Sequence, residues 1–162
     1  MLALNKEVGL AFWLRATHIT PDTGELAARA SERSLAFDSA LIAQAKALKG
    51  VPTDPESARA IELILRGSSL PAPNDPALRA ELAQLATDLE GLYGAGKACD
   101  DNGDNCKTLP ELENILAASR DYGEQLEAWQ AWRGVSPPMR PMYQRFVELA
   151  NQGARELGFA NL

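Results

Sequence analysis

Along almost the whole chain, apolar side chains recur at steps of three or four, and the breaks between runs fall at prolines, glycines and short polar residues. That period places the apolar positions on one face of an α-helix. Breaks of that kind are where helices start and stop. No run shows the alternation of a half-buried strand. The pattern predicts an all-α fold.

Seven helices are expected. The first covers about residues 2–16 and reads as amphipathic. Thr20, Pro21, Asp22 and Thr23 form a turn that opens a second helix, about 24–49. Its stripe is Leu26, Ala30, Ser34, Phe37, Leu41, Ala45 and Leu48. Lys46 and Lys49 near its end, with Gly50 after them, suit a helix C-terminus. Thr53 and Glu56 have capping-box spacing, with Pro55 near the first helical position. The short helix that follows shows Ile61, Ile64 and Leu65 on one face and ends at Gly67. PAPNDP, residues 71–76, reads as a rigid linker, with Asp75 capping a fourth helix. There Leu78, Leu82, Leu85, Leu89 and Leu92 alternate in steps of four and three. That is about two heptads, too few for a coiled coil, so the helix is expected in a globular core. Residues 91–108 form the one long non-helical stretch. Three more helices follow, at about 110–120, 122–133 and 138–157.

Composition supports a folded helical chain. The 162 residues are 46% hydrophobic and 23% charged, which suits one domain or a piece of one. Only 6% are aromatic, and Ala and Leu, which make up much of the apolar content, lead the helix propensity scale. The net charge of −6, with no basic stripe, speaks against nucleic acid as a partner. No run of about 18 apolar residues is present, so no helical membrane span is expected. Lys6 and Glu7 interrupt the apolar N-terminus, which does not read as a secretory signal.

Candidate chemistry is sparse. There is one histidine, His18, whereas a zinc-binding His-Glu-x-x-His helix needs two and a Ser or Cys nucleophile needs a nearby base. His18 is expected to cap or to pack. GAGK at 94–97 is too short for a phosphate loop. Cys99 and Cys106 bracket DDNGDN, and three readings compete. A metal site lacks further ligands. A calcium loop using Asp100, Asn102 and Gly103 fails in register, with Ala98 and Leu109 at its first and twelfth positions. A local disulfide pinning a surface loop suits two cysteines around a polar turn, and implies an oxidising compartment. Acidic pairs such as Glu111 with Glu113 read as solvated surface.

The densest feature is AWQAWR, residues 128–133, within an aromatic-rich helical pair spanning 112–159. Leu126, Trp129 and Arg133 are spaced for one helix face that continues from Leu112, Ile115, Ser119 and Tyr122, with Trp132 at its edge. An arginine in line with tryptophans either stacks on them or is partly buried. A buried guanidinium needs a counter-anion, a carboxylate or a bound ion. An exposed arginine favoured by the helix dipole is the alternative.

These runs resemble one family. ENILAASRDYGEQLEAWQAWR (113–133) and RPMYQRFVELANQGARELGF (140–159) are similar to the angiotensin-converting-enzyme family of zinc peptidyl-dipeptidases. So are WLRATHIT (13–20) and YGAGKACDDNGDNCKTLPELENIL (93–116). The likeness covers nearly the whole chain in order, most closely from Tyr93 onward. It implies the N-terminal lid and scaffold helices of a larger, mostly helical domain, with 1–162 an incomplete part of it. It also implies an enzyme that releases C-terminal dipeptides from peptides. There a zinc ion polarises the scissile carbonyl and activates water. The zinc ligands and substrate-binding residues belong to later sequence, so the chain alone is expected to be inactive, with no catalytic residue of its own. The resemblance assigns chloride binding to Arg133 and the family disulfide to Cys99 and Cys106. It implies a periplasmic or secreted protein. Gln130 departs from the family's Glu, and His18 replaces the Asn of its Asn-Ile-Thr sequon. With no N-x-[ST] sequon present, the chain fits a bacterial member. A second reading is a non-catalytic helical binding module derived from the same family. In either case stripes made to meet absent helices are expected to leave large apolar patches exposed.

Overall fold

Seven helices stand in the computed structural model, which describes residues 2–67, 70–100 and 102–162. They are α1 (Leu2–Thr17), α2 (Pro21–Ala47), α3 (Pro55–Arg66), α4 (Pro76–Ala95), α5 (Leu109–Ala118), α6 (Tyr122–Arg133) and α7 (Met139–Glu156). The all-α expectation holds among the described residues. The isolated bridge between Ala98 and Lys107 is their one ladder-type pairing.

The helices start where a short polar side chain takes up free backbone N–H groups. At α2 the Thr20 hydroxyl accepts from the Thr23 N–H at 3.3 Å, and the Thr23 hydroxyl accepts from the Thr20 N–H at 3.1 Å. Pro21 occupies the first turn, three residues earlier than the sequence suggested. At α3 the cap is Asp54, not the expected Thr53. Its carboxylate accepts from Glu56 and Ser57 N–H groups at 3.1 and 3.0 Å, so one ionised side chain satisfies two donors. Asp75 does the same for α4.

α4 packs against α2 on one side and α7 on the other. Their cluster contains Leu35, Ala72, Leu82, Ala83, Leu149 and Ala150, all buried. On α2 the buried face is Ala27, Ala28, Ala30, Leu35, Ile42 and Ala45. The expected stripe was therefore rotated. Ala30 and Ala45 are buried, but Leu26, Phe37 and Leu48 are exposed. Close approach of two helices favours small side chains at the contact, so the larger ones turn outward. α1 lies on α2 through half-buried Leu4, Val8, Ala11 and Phe12, and the same stripe ends in buried Arg15. Leu2, Leu10 and Trp13 face away.

The segment expected to be a rigid linker belongs to the folded core. Pro71, Ala72 and Pro73 are buried against α7, where Gly153 leaves room for them. A β-carbon at Gly153 would stand 2.5 Å from the Ala72 carbonyl carbon and 2.6 Å from the Pro71 oxygen. The Asn74 N–H donates to Glu156 at 2.6 Å, and Arg79 donates to the Asn74 carbonyl at 3.2 Å and to Glu32 at 2.8 Å. α4 also runs on to Ala95, through a glycine-rich stretch read as loop. Gly91 and Gly94 are not helix stops there. A β-carbon at Gly91 would fall 1.8 Å from Arg15 Nη2, and one at Gly94 2.8 Å from Ile19 Cδ1. They are sites of close approach by the α1–α2 turn.

Ion pairs tie the layers at the rim. Arg145 of α7 donates to both oxygens of Glu81 of α4, at 2.7 and 2.8 Å. This bidentate geometry holds the Glu81 carboxyl below the usual carboxylate range. No helix among the described residues is long and apolar enough to cross a membrane.

Gly153→Ala is expected to lower stability by about 1–3 kcal/mol, because the new methyl meets backbone atoms that cannot rotate away. Chemical denaturation monitored by helical circular dichroism measures this. An unchanged midpoint would mean that the contact between residues 71–73 and α7 is loose.

Candidate functional site

α5 and α6 fold against each other across a three-residue connection and form a second cluster beside the end of α4. At the start of α5 the Glu111 carboxylate accepts from both the N–H and the hydroxyl of Thr108, each at 2.7 Å. Those bonds, the backbone one first, hold the Glu111 carboxyl below its ordinary value. Ser119 is extended (φ −67°, ψ 148°) and ends α5. Asp121 then caps α6 by accepting from the Glu124 N–H at 2.8 Å.

That extended residue resets the helical phase. The single face expected to run from Leu112 through Tyr122 to Arg133 is therefore not formed. Leu112, Ala128 and Trp132 are buried together with Ala98, and Leu109, Ile115, Ala131 and Val135 pack around them. Trp132, expected at the edge, is the buried tryptophan at 9% exposure, while Trp129 is 50% and Tyr122 76% exposed. Nor do residues 112–159 form one pair of helices, since α7 leaves α5 and α6 to pack on α4.

The two tryptophans have different partners. Trp132 meets Tyr93 of α4 edge to face, with ring centroids 5.4 Å apart and an 83° interplanar angle. This contact joins the α5–α6 cluster to α4. Trp129 carries Arg133, whose Cζ lies 4.3 Å from the ring centroid. Such an exposed cation–π contact is worth about 0.5–1 kcal/mol. It chiefly orients a guanidinium that forms no ion pair among the described residues. A cavity of about 340 Å³ opens beside the pair, lined by Tyr93, Leu112, Leu116, Trp129, Trp132 and Arg133 among others. Arg133 is exposed in the last turn of α6 and stacked on Trp129, so the exposed and stacked arrangements coincide and the buried one is not adopted.

The loop before α5 is closed by a Cys99–Cys106 disulfide, with Cα atoms 3.9 Å apart. Ala98 and Lys107 exchange backbone hydrogen bonds of 2.9 and 2.7 Å just outside it. Asp100 organises the interior. Its Oδ1 accepts from the Asn102 and Asp104 N–H groups at 3.0 and 2.8 Å, and its Oδ2 accepts from the Asn105 amide at 2.9 Å. Asn105, then the Asp104 N–H, holds this carboxyl below its ordinary range. A chain-entropy model gives roughly 2.5 kcal/mol for closing so short a loop. Ala98 is buried in the α5–α6 cluster, so the pinned loop fixes where α5 begins.

His18 is exposed, with Nδ1 3.0 Å from the Thr17 hydroxyl, while its backbone carbonyl accepts from the Thr23 hydroxyl at 2.5 Å. No group of three or more His, Cys, Asp or Glu side chains able to hold a metal ion occurs among the described residues. The one histidine is exposed, and both cysteines are held in the disulfide.

One residue escaped the sequence reading. Arg15 is buried at 9% exposure at the end of α1, between Gly24 and Gly91. Nothing in one sequence links two glycines so far apart to an arginine, so the pattern held no signal for it.

The sequence model of angiotensin-converting enzyme matches residues 2–162. Angiotensin-converting enzyme from Oryctolagus cuniculus is 34% identical over 160 residues, covering 93% of this chain and 12% of that protein. The enzyme from Bos taurus is 33% identical over 158 residues, with the same two shares, 93% and 12%. That from Rattus norvegicus is 41% identical over 86 residues, 51% of this chain and 6% of that protein. The chain thus spans 12% or less of the length of these curated relatives.

Trp132→Ala is expected to cost about 3–5 kcal/mol, and Trp129→Ala about 1 kcal/mol or less. Urea unfolding of the two variants measures the difference, and equal losses would contradict the assignment of one buried and one exposed ring. The Asp100 carboxyl is depressed in the folded loop, so its contribution is present at neutral pH and is lost as pH falls through that lowered value. Hydrogen exchange at the Asp104 N–H is expected to lose protection only below the usual aspartate range. Loss at a higher pH would contradict the bonding described.

Proposed function

The chain belongs to the angiotensin-converting enzyme family, and we propose that it is the N-terminal lid and scaffold of a zinc peptidyl-dipeptidase domain. The observation that carries this reading is a family match running from residue 2 to residue 162, set against coverage of 12% of the length of relatives such as the rabbit enzyme. The domain releases C-terminal dipeptides from peptide substrates. Its zinc ligands and substrate-binding residues lie in polypeptide outside these 162 residues. The chain by itself is inactive, and no catalytic step is assigned to its side chains. Its work is mechanical: α2, α4 and α7 make a rigid platform, and helices over a deep cleft admit unfolded peptides and keep bulk water out.

Arg133 is the one ligand residue in this reading. With Trp129 stacked beneath it and Trp132 beside it, the guanidinium makes one wall of a chloride site. The other ligands come from the rest of the domain. Once that remainder covers the exposed face, an unpaired guanidinium there would be costly, and a bound anion relieves the cost. The Cys99–Cys106 disulfide supports a periplasmic or secreted location, where such bonds persist.

The direct test is to express the natural reading frame that contains this chain, from its own start codon to its own stop. Dipeptide release from an N-blocked tripeptide is expected, with loss of activity on chelation, and none from the 162-residue chain. A complete gene that stops after Leu162 would overturn the enzyme reading in favour of a non-catalytic binding module. In the active enzyme, Arg133→Gln is expected to raise the chloride concentration for half-maximal activity about tenfold or more, since a charged hydrogen bond is worth about 1.5–3 kcal/mol. An unchanged chloride profile would remove Arg133 from the site.

A further inference from the structure

Arg15 is the only residue of α1 that is buried, although it carries a full charge. Its Nη1 donates to the Thr20 carbonyl at 2.8 Å. Its Nε–H is enclosed and has no hydrogen-bond partner, the one such side-chain atom among the described residues. No ion pair to Arg15 is formed among those residues either. The surroundings are nonetheless shaped for it. The guanidinium lies beside Gly24, where a β-carbon would stand 3.5 Å from Cζ, and against Gly91, where a β-carbon would stand 1.8 Å from Nη2. Two helices bring their glycines to the same cation, and neither offers it a carboxylate.

An uncompensated guanidinium held in such a place is costly, as is a buried donor without an acceptor. Arg15 lines a groove of about 1020 Å³ between α2, α4 and the α6–α7 connection, whose other charged lining residues are Glu25, Asp88 and Lys97. Glu25 is engaged by Arg29, and Asp88 accepts from Gln84 at 2.8 Å, so both acids already have partners. The N-terminus of the 27-residue α2 adds its positive dipole end beside Arg15.

We propose that Arg15 is the anchor of a second ligand site in this groove, which takes a carboxylate-bearing molecule. A carboxylate matches the planar fork of a guanidinium and forms paired bonds with it.

The test is an NMR titration of the ¹⁵N-labelled 162-residue chain with sodium acetate, sodium chloride replacing it at equal ionic strength as the control. The arginine Nε–H signal that disappears in Arg15→Lys is expected to shift saturably with acetate and to stay put with chloride. Affinity in Arg15→Lys is expected to fall about tenfold or more, because an ammonium cannot make the paired contact. No saturable shift, or the same shift with chloride, overturns the proposal. Should Arg15→Lys fail to fold, the thermal midpoint of the unsubstituted chain decides. It is expected to rise along a saturating curve as acetate replaces chloride, as binding at one site requires, and not in proportion to acetate as a general salt effect would. Equal midpoints count against the site.

Discussion

Close approach through small residues sets the rest of this structure. α4 can lie between α2 and α7 because small residues line these contacts: Ala83 of α4 and Ala150 of α7 share the buried cluster, and Ala27, Ala28 and Ala30 are buried on α2. Such a seam brings backbones near and makes many weak contacts, but it hides little apolar area per residue. Leu82, Leu149 and Thr87 are the larger side chains it fully encloses. The ion pairs Arg79–Glu32 and Arg145–Glu81 close its rims.

The consequence is a chain that leaves many of its bulky apolar side chains exposed. Leu2, Trp13, Tyr122, Trp129, Tyr143 and Val147 are exposed around a core built largely of alanine. That division suits a scaffold whose large side chains meet further polypeptide. The Trp129–Arg133 pair belongs to this outward layer, and the Tyr93–Trp132 contact anchors its helix to the platform. The buried arginine at the α1–α2 turn is a different case, a charge drawn into the seam where two glycines leave space.

Helix number, order and most boundaries were legible in the sequence because caps and prolines act locally. Thr20–Pro21 and Asp75–Pro76 fix their helices within a few residues. Which face is buried was not legible. Periodicity marks large apolar positions, whereas the buried face of α2 is made of small ones, so the pattern points to Leu26 and Phe37 where the structure buries Ala27 and Ala28. The turn at Ser119 hid the change of phase that buries Trp132 rather than Trp129. Gly91 and Gly94 looked like a helix stop because their true neighbours, Arg15 and Ile19, are distant in sequence. The disulfide was legible, since two cysteines around a polar turn leave few other uses for them. Arg133 stood out as a candidate ligand by resemblance, while its stacking on Trp129 needed the structure.

The proposed function has further polypeptide cover this chain, and its association state in solution tests that most directly. Sedimentation velocity of the purified 162-residue chain over a range of concentrations is expected to show concentration-dependent oligomers, as large exposed apolar patches demand. A monodisperse monomer at every concentration, unfolding in one cooperative thermal transition, would contradict it.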